Sequence, residues 1–371
     1  MFKLDRLSQT KAYFFLAVSI LSSACTPALT PESPDHSLTP WEKQLGTHNF
    51  GSTCFANATH KLLWAYYRDL QTPPTPSTSE LGTRFNTLMR NFTAGWIQAR
   101  NENQGHPSGY KEELSLLFEA FRSEQTSRAA LDPITFQVQD GAETYLGRLN
   151  EYAQLFPDSF GIRKREEFLY PSDHRRNLIP YEATGQLALS LSIEDREITS
   201  VQQAIQHELR TTQQTGIRHP ITDQPEDIQV DRYYEIDQRI HPSGGTPPVL
   251  IIGLNRIIHH PPARPIKLNK SVSPLAEIEI PLSQAHPQRQ NDQDVHLIPF
   301  SNPRYELKSV VVHHGSASGG HYFTYIRNTD QSWEKHNDRS VRMIHDPIEI
   351  QKIEEDINTH GYLLLYTRIE A

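Results

Sequence analysis

Apolar residues recur every three to four positions through the first third of the chain. In FANATHKLLWAYYRDL (residues 55–70) they fall on one side of a helix, and the same spacing predicts helices over 111–122 and 142–155. QTPPTPSTS after Leu70 must end the first helix, because proline fixes φ and offers no amide hydrogen. From about residue 160 the texture changes. LALSLSI (187–193), PPVLIIGLNRI (247–257), EIEIPL (277–282), YELKSVVVHH (305–314), HYFTYIRN (321–328) and YLLLYTR (362–368) alternate or form short runs rich in Val, Ile and Tyr, and read as strands. One helix, TSVQQAIQHEL (199–209), interrupts them, and no internal repeat is visible. The pattern predicts an α+β protein, helical at first and then built on an antiparallel sheet.

The apolar run at 12–24 differs in kind. At 13 residues it is too short to span a bilayer, it follows Lys3, Arg6 and Lys11, and it ends in the small residues Ser22, Ser23 and Ala24. This reads as a signal peptide over 1–25, and LSSAC resembles a bacterial lipoprotein cleavage site in which Cys25 becomes lipidated. A short membrane anchor is the other reading. Residues 26–40, rich in Pro, Ser and Thr, read as a linker, with folding expected to begin near Trp41.

Composition narrows the chemistry. A net charge of −8 argues against nucleic acid, which needs clustered Lys and Arg, and favours a basic partner. Two cysteines, Cys25 and Cys54, exclude a disulfide framework and any zinc site built on several thiolates. Cys54 falls just before or at the start of the first helix, where the helix dipole favours a thiolate. Upstream, Gly46 and Gly51 permit tight turns, and the Asn49 amide is a donor close to the thiol, suited either to stabilising an oxyanion or to capping a turn. Far downstream, SASGGHYFTYIRNTDQSWEKHND (316–338) runs from a glycine-rich turn into a strand opening with His321. A second strand or turn sixteen residues later presents Asn337 and Asp338. Pairing of the two would bring Asn337 beside the imidazole, in the order Cys, His, Asn of papain-type hydrolases.

These segments resemble the ubiquitin-specific protease family. NFGSTCFAN is similar to its Cys box, YELKSVVVHHGSASGGHYFTYIR to its His box, and WEKHND with Val341 to the segment supplying the third triad member. VQDGAETYL (138–146), PPVLIIGLNRI and YLLLYTR resemble three further family segments in the same order, so the likeness runs over about 41–368. It implies a papain-like cysteine protease with thumb (about 41–160), palm and fingers (about 161–371), acting without a cofactor on ubiquitin and ubiquitinated proteins. Carried over by position, it implies Cys54 as nucleophile, His321 as base, Asn337 as the residue orienting it, Asn49 as oxyanion donor and Asp338 as an assisting carboxylate. Asp140 and Glu143 would meet arginines of the ubiquitin tail, while Gly319, Gly320 and Tyr322 would bound a channel for its Gly-Gly end.

The departures are also specific. Ser52 replaces the usual Asn of the Cys box, and Ala56, His60 and Lys61 replace apolar or Gln positions. The fingers stretches, about 160–187 and 211–235, hold no cysteine, so those fingers are expected to be metal-free, shortened or rearranged. His313 with His314, and His259 with His260, have no third ligand at metal spacing and read as structural or surface residues. Two rivals remain at this level: a papain-like peptidase or amidase on another substrate, and a ubiquitin-binding protein without activity.

Overall fold

The computed structural model describes residues 46–69, 79–102, 110–130, 133–136, 140–153, 162–172, 175–180, 188–236, 246–285 and 297–369. The leader, the linker and the expected start at Trp41 lie outside them.

Four helices come first: α1 (Cys54–Asp69), α2 (Glu80–Glu102), α3 (Lys111–Ser127) and α4 (Ala142–Ala153). Sequence spacing did not reveal α2, because glycines, threonines and asparagines of low helix propensity dilute it. Packing secures it instead, with Leu81, Phe85, Leu88, Met89 and Phe92 buried on one side. Strands follow: β1 (Ile162–Tyr170), β2 (Arg175–Pro180), β3 (Ala188–Ser192), then α5 (Val201–Glu208), β4 (Thr212–Arg218), β5 (Pro225–Ile236) and β6 (Val249–Asn255). After the short pair β7 (Ile257–Ile258) and β8 (Ile266–Lys267) come β9 (Glu277–Glu279), β10 (Leu282–Ala285) and β11 (Leu297–Ser301). The chain closes with β12 (Arg304–Ser316), β13 (Gly319–Arg327), β14 (Trp333–Asn337), β15 (Ser340–Ile344), α6 (Pro347–His360) and β16 (Gly361–Arg368). Helix α6 was not expected either, although its start is marked: Asp346 caps the amides of Ile348 and Glu349, and Pro347 opens the first turn.

Eight strands form one sheet in the order β15-β14-β13-β12-β16-β6-β3, with β9 alongside β12, antiparallel except at β3–β6. The continuous apolar runs in β12 and β16 follow from burial on both faces. Val311, Leu363 and Leu365 point to α1 and the other early helices, whereas Val310, Val312, Leu364 and Tyr366 point to α5 and α6. Hydroxyls pin the first of these layers: Ser309 Oγ donates to the Leu62 carbonyl at 3.1 Å and Thr324 Oγ1 to that of Ala58 at 2.8 Å.

A second sheet of six strands, β11-β10-β5-β1-β2 with β4 on β5, joins that core at one end through Tyr234 of β5 and Leu282 of β10. Its own buried cluster is small: Tyr170, Ile228 and Val230, with Phe168 and Ile217 against them.

Candidate active site

The loop before α1 is shaped by one side chain. Asn49 Oδ1 accepts from the Gly51 amide at 3.0 Å, the Thr53 amide at 3.2 Å and Thr53 Oγ1 at 3.2 Å, while the Phe50 amide donates to Thr53 Oγ1 at 3.1 Å. Gly51 takes a φ of 112°, open to glycine and costly for other residues. The loop thereby delivers Cys54, fully buried, as the first residue of α1.

The same loop is joined to the turn between β14 and β15. Gly46 packs against the Arg339 carbonyl so closely that a Cβ would lie 2.1 Å from its oxygen, and the Thr47 amide donates to the Asp338 carbonyl at 2.6 Å. Asn337 pairs with Ser340, so Asp338 and Arg339 make a two-residue turn, with Asp338 at φ 45°, a conformation aspartate tolerates better than most. The Asp338 carboxylate accepts 2.8 Å hydrogen bonds from two amides, Asn49 Nδ2 on the loop and Asn57 Nδ2 one turn into α1. Asn57 went unnoticed in the sequence, where it is only one more polar residue on a helix.

His321 lies beside this turn. Its Nε2 is 2.6 Å from Asn337 Oδ1 and 4.0 Å from Asp338 Oδ2. A carboxamide oxygen can only accept, so Nε2 carries the hydrogen. Next to it Tyr322 is buried with Cys54 in one core cluster, and burial, then Tyr362 and then Cys54, raise the Tyr322 phenol well above its ordinary pKa. Asn49, Asn57, His321, Asn337 and Asp338 therefore gather where the loop before α1 meets β13 and the β14–β15 turn, with Cys54 one turn from Asn57 at the head of α1. Asn49 commits one amide hydrogen to Asp338 and keeps a second.

Asp140 and Glu143 stand at the start of α4 on the neighbouring side. Burial pushes up the phenols of Tyr322 and Tyr362, whose rings meet at 5.8 Å; Glu143 and Asp140 add to the shift of Tyr362, and Asp140 adds a smaller part to that of Tyr322. Glu143 accepts from Ser190 Oγ and rests against Gly253, where a Cβ would come within 3.0 Å of Oε1; burial raises its carboxyl. Of the two glycines opening β13, Gly320 has a packing reason of its own. A Cβ there would lie 2.0 Å from the His314 carbonyl oxygen and 2.6 Å from His313 Nε2.

The departures from the Cys box lie in the core. His60 is buried with Nε2 2.7 Å from the Tyr145 hydroxyl, and burial lowers it to about 3. Lys61 Nζ lies 3.5 Å from the centre of the Phe92 ring, with burial lowering it to about 7. His336 is buried against Glu334 at 2.8 Å, remote in role from its neighbour Asn337.

The family model for ubiquitin carboxyl-terminal hydrolase matches residues 45–366. Similar curated proteins include ubiquitin carboxyl-terminal hydrolase 10-A of Xenopus laevis, 23% identical over 64% of this chain and 30% of that protein. The Mus musculus hydrolase 10 is 24% identical over 62% and 28% respectively. A probable hydrolase 3 of Schizosaccharomyces pombe is 34% identical over 33% of this chain and 24% of its own length. The chain thus spans under a third of each of these three relatives. Among solved structures, the SAGA Ubp8/Sgf11/Sus1/Sgf73 DUB module bound to ubiquitin aldehyde aligns with a TM-score of 0.59 at 16% identity, over 90% of this chain and 71% of that one. The same module with a substituted Ubp8, bound to monoubiquitin, gives 0.58 at 15% identity, over 92% and 73%. The fold is the thumb, palm and fingers arrangement, and by the span of the family match the chain belongs to the ubiquitin carboxyl-terminal hydrolases, in their ubiquitin-specific protease group.

Proposed function

We propose that this chain is a thiol-dependent deubiquitinase that cleaves peptide and isopeptide bonds after the C-terminal glycine of ubiquitin. The observation that carries the reading is the 2.6 Å contact of His321 Nε2 with Asn337 Oδ1, made beside the helix end that bears Cys54. With Nε2–H donated to Asn337, Nδ1 is the nitrogen that takes the proton from Cys54 Sγ. The thiolate attacks the glycine carbonyl, and the resulting oxyanion takes the second Asn49 amide hydrogen. His321 then returns its proton to the departing lysine amine as the C–N bond breaks. Water, deprotonated by His321, hydrolyses the thioester and restores Cys54. Asp338 acts through the two asparagine amides it holds, fixing the loop and α1 relative to His321.

Asp140 and Glu143 serve as the acceptors for arginines of the ubiquitin tail. A carboxyl raised by burial gains most from a guanidinium brought alongside. Gly319, Gly320 and Tyr322 line the entry for the two terminal glycines. Because Cys54 has no exposed surface in this state, ubiquitin must open the path to the thiol. Residues 1–25 are proposed to direct export or lipidation at Cys25, as in a secreted enzyme acting in a host cell. The relatives named above are all eukaryotic, and the mass of the mature N-terminus decides the matter.

The test is covalent capture by a ubiquitin whose C-terminus carries an electrophile. One adduct on Cys54, absent in Cys54→Ala and outpacing any reaction with an unrelated peptide, is expected. Equal or better turnover of the unrelated peptide would replace ubiquitin with another substrate. Binding of ubiquitin with neither adduct nor cleavage would make the chain a silent ubiquitin receptor.

A further inference from the structure

On the sheet face that carries His321, three side chains outside the catalytic cluster converge. His314 stands directly opposite His321 across the β12–β13 ladder. Asp356 and His360, four residues apart near the end of α6, lie on one side of that helix. His314 Nε2 and Asp356 Oδ1 are 2.6 Å apart, the His314 and His360 rings meet edge to face at 4.7 Å, and one potential ligand atom from each residue lies within 4.8 Å of the other two. Sequence spacing concealed the partners of His314 because 42 residues separate it from Asp356.

We propose that His314, Asp356 and His360 bind a divalent first-row transition metal ion of the zinc type, which clamps the last turn of α6 to β12. Two imidazoles and one carboxylate form a donor set that favours zinc over magnesium or calcium, whose sites are built from oxygen. The supporting contacts fit as well. The Tyr325 hydroxyl donates to Asp356 Oδ2 at 2.9 Å, holding the carboxylate and leaving Oδ1 toward the two histidines. His360 Nδ1 is buried and no described residue hydrogen-bonds it, an uncommon state for a polar atom inside a protein. Zinc bonds of about 2.0–2.2 Å in a tetrahedron set ligand atoms roughly 3.3 Å apart. Side-chain shifts on the order of 1 Å gather the three, and the fourth position is left to water.

Two cations nearby temper the affinity without competing for the ligand atoms, since both are engaged by backbone carbonyls. Arg256 donates to the carbonyls of Gly361 at 2.6 Å and Asn358 at 2.8 Å, and Lys267 donates to those of His313 and Gly315.

The experiment uses the full chain carrying Cys54→Ala, which removes the thiol as a competing ligand. Calorimetric titration with Zn2+ is expected to show one ion per chain and a higher Tm, and Mg2+ neither. His360→Gln and Asp356→Asn, compared by Tm after chelation to confirm folding, are each expected to weaken Zn2+ binding by at least about tenfold. Substituting Co2+ is expected to give the visible bands of a nitrogen and oxygen site without thiolate charge transfer, a readout that needs no ligand variant. Zn2+ binding that both variants leave unchanged, or a chain that takes up neither Zn2+ nor Co2+ at one equivalent, overturns the proposal.

Discussion

The seam between α1 and the palm sheet and the six-stranded fingers sheet secure themselves by opposite means. At the seam, strands buried on both faces set a dense apolar layer, and hydroxyls inside it tie sheet to helix, Ser309 on the Leu62 carbonyl and Thr324 on that of Ala58. In the fingers the apolar cluster is small, and the strands are tied across their length by polar pairs. Arg232 Nε meets Glu166 Oε1 at 2.8 Å, Thr211 Oγ1 meets Asp231 Oδ1 at 2.6 Å, and the Tyr233 hydroxyl meets Glu167 Oε2 at 3.2 Å. The first and third of these pairs are part-buried and the second is exposed, and pairs of this kind contribute modestly, typically about 1 kcal/mol each. The fingers should therefore be the soft part of the molecule and the seam the rigid part, as suits chemistry that depends on placing side chains to a fraction of an ångström.

The strongest challenge to that division is removal of the thiol proposed as nucleophile. Cys54→Ala is expected to lower hydrolysis of a ubiquitin C-terminal reporter by about 10⁴-fold or more, with ubiquitin affinity retained. Residual activity near the parent value would take the chemistry away from the seam altogether.

Two neighbouring substitutions sharpen the picture within the seam. Asn337→Ala removes the acceptor of the His321 Nε2 hydrogen and is expected to lower kcat about 10²-fold with little change in Tm. Asp338→Ala strands the amides of Asn49 and Asn57, and should lower both kcat and stability, the latter by about 1–3 kcal/mol. Matching urea midpoints for the two variants would mean that the asparagine web does not hold the loop to α1.

Acid should attack the seam before the fingers. His60 and His313 are lowered by burial to about 3, so in the folded chain they stay neutral while unfolded imidazoles titrate near 6.5. Below pH 6.5 the unfolded chain binds more protons, hence this stabilisation is complete above 6.5 and is lost progressively as pH falls toward 3. For His60 alone the loss at pH 4.5 is about 2–3 kcal/mol. Glu334 and Asp356, held below the usual carboxylate range by hydrogen-bonded histidines despite burial, add to the loss at still lower pH. All four groups lie on α1, β12, β14 or α6. Urea midpoints at pH 7 and 4.5, with hydrogen exchange to locate the opening, check this; a flat profile, or opening confined to the fingers, would refute it.

The same contrast explains what the sequence made readable. Long apolar runs such as VVV in β12 and LLL in β16 announce a buried sheet, and GGHY and CFAN mark its chemistry by residue type. The strands β1, β2, β4 and β5 escaped, because IRKREEFLY and TQQTGIR carry too few apolar residues for a period to emerge, and cross-strand partners rather than burial hold them. Helix α6 escaped for a related reason, since it buries only Ile353 and Ile357. The Asn49–Asp338–Asn57 web and the His314–Asp356–His360 group depend on contacts across more than 40 positions, which no local pattern records.

The smallest effect is expected at the tip of the fingers, where the family resemblance leads one to look for paired cysteines and the chain places His219 instead. Its buried ring packs edge-on against Tyr170 at 4.9 Å, and Nδ1 accepts from the amides of Ile221 at 3.3 Å and Thr222 at 3.2 Å. The backbone closes the same turn, with the His219 amide donating to the Gln224 carbonyl and the Asp223 amide to that of His219, both at 2.9 Å. Arg218 reaches Asp223 from outside, and Asp223 itself sits at φ 55°. One imidazole thus does locally what an ion between two hairpins would do, accepting two amides while plugging the end of a small apolar cluster. His219→Ala removes both, and should cost about 1–2 kcal/mol, with faster hydrogen exchange confined to the β4–β5 turn. Turnover of a short C-terminal peptide of ubiquitin should stay at the parent rate, while KM for whole ubiquitin rises a few-fold, because only the whole protein is large enough to lean on the fingers. A fall in kcat for the short peptide would mean that the soft sheet and the rigid seam are coupled after all.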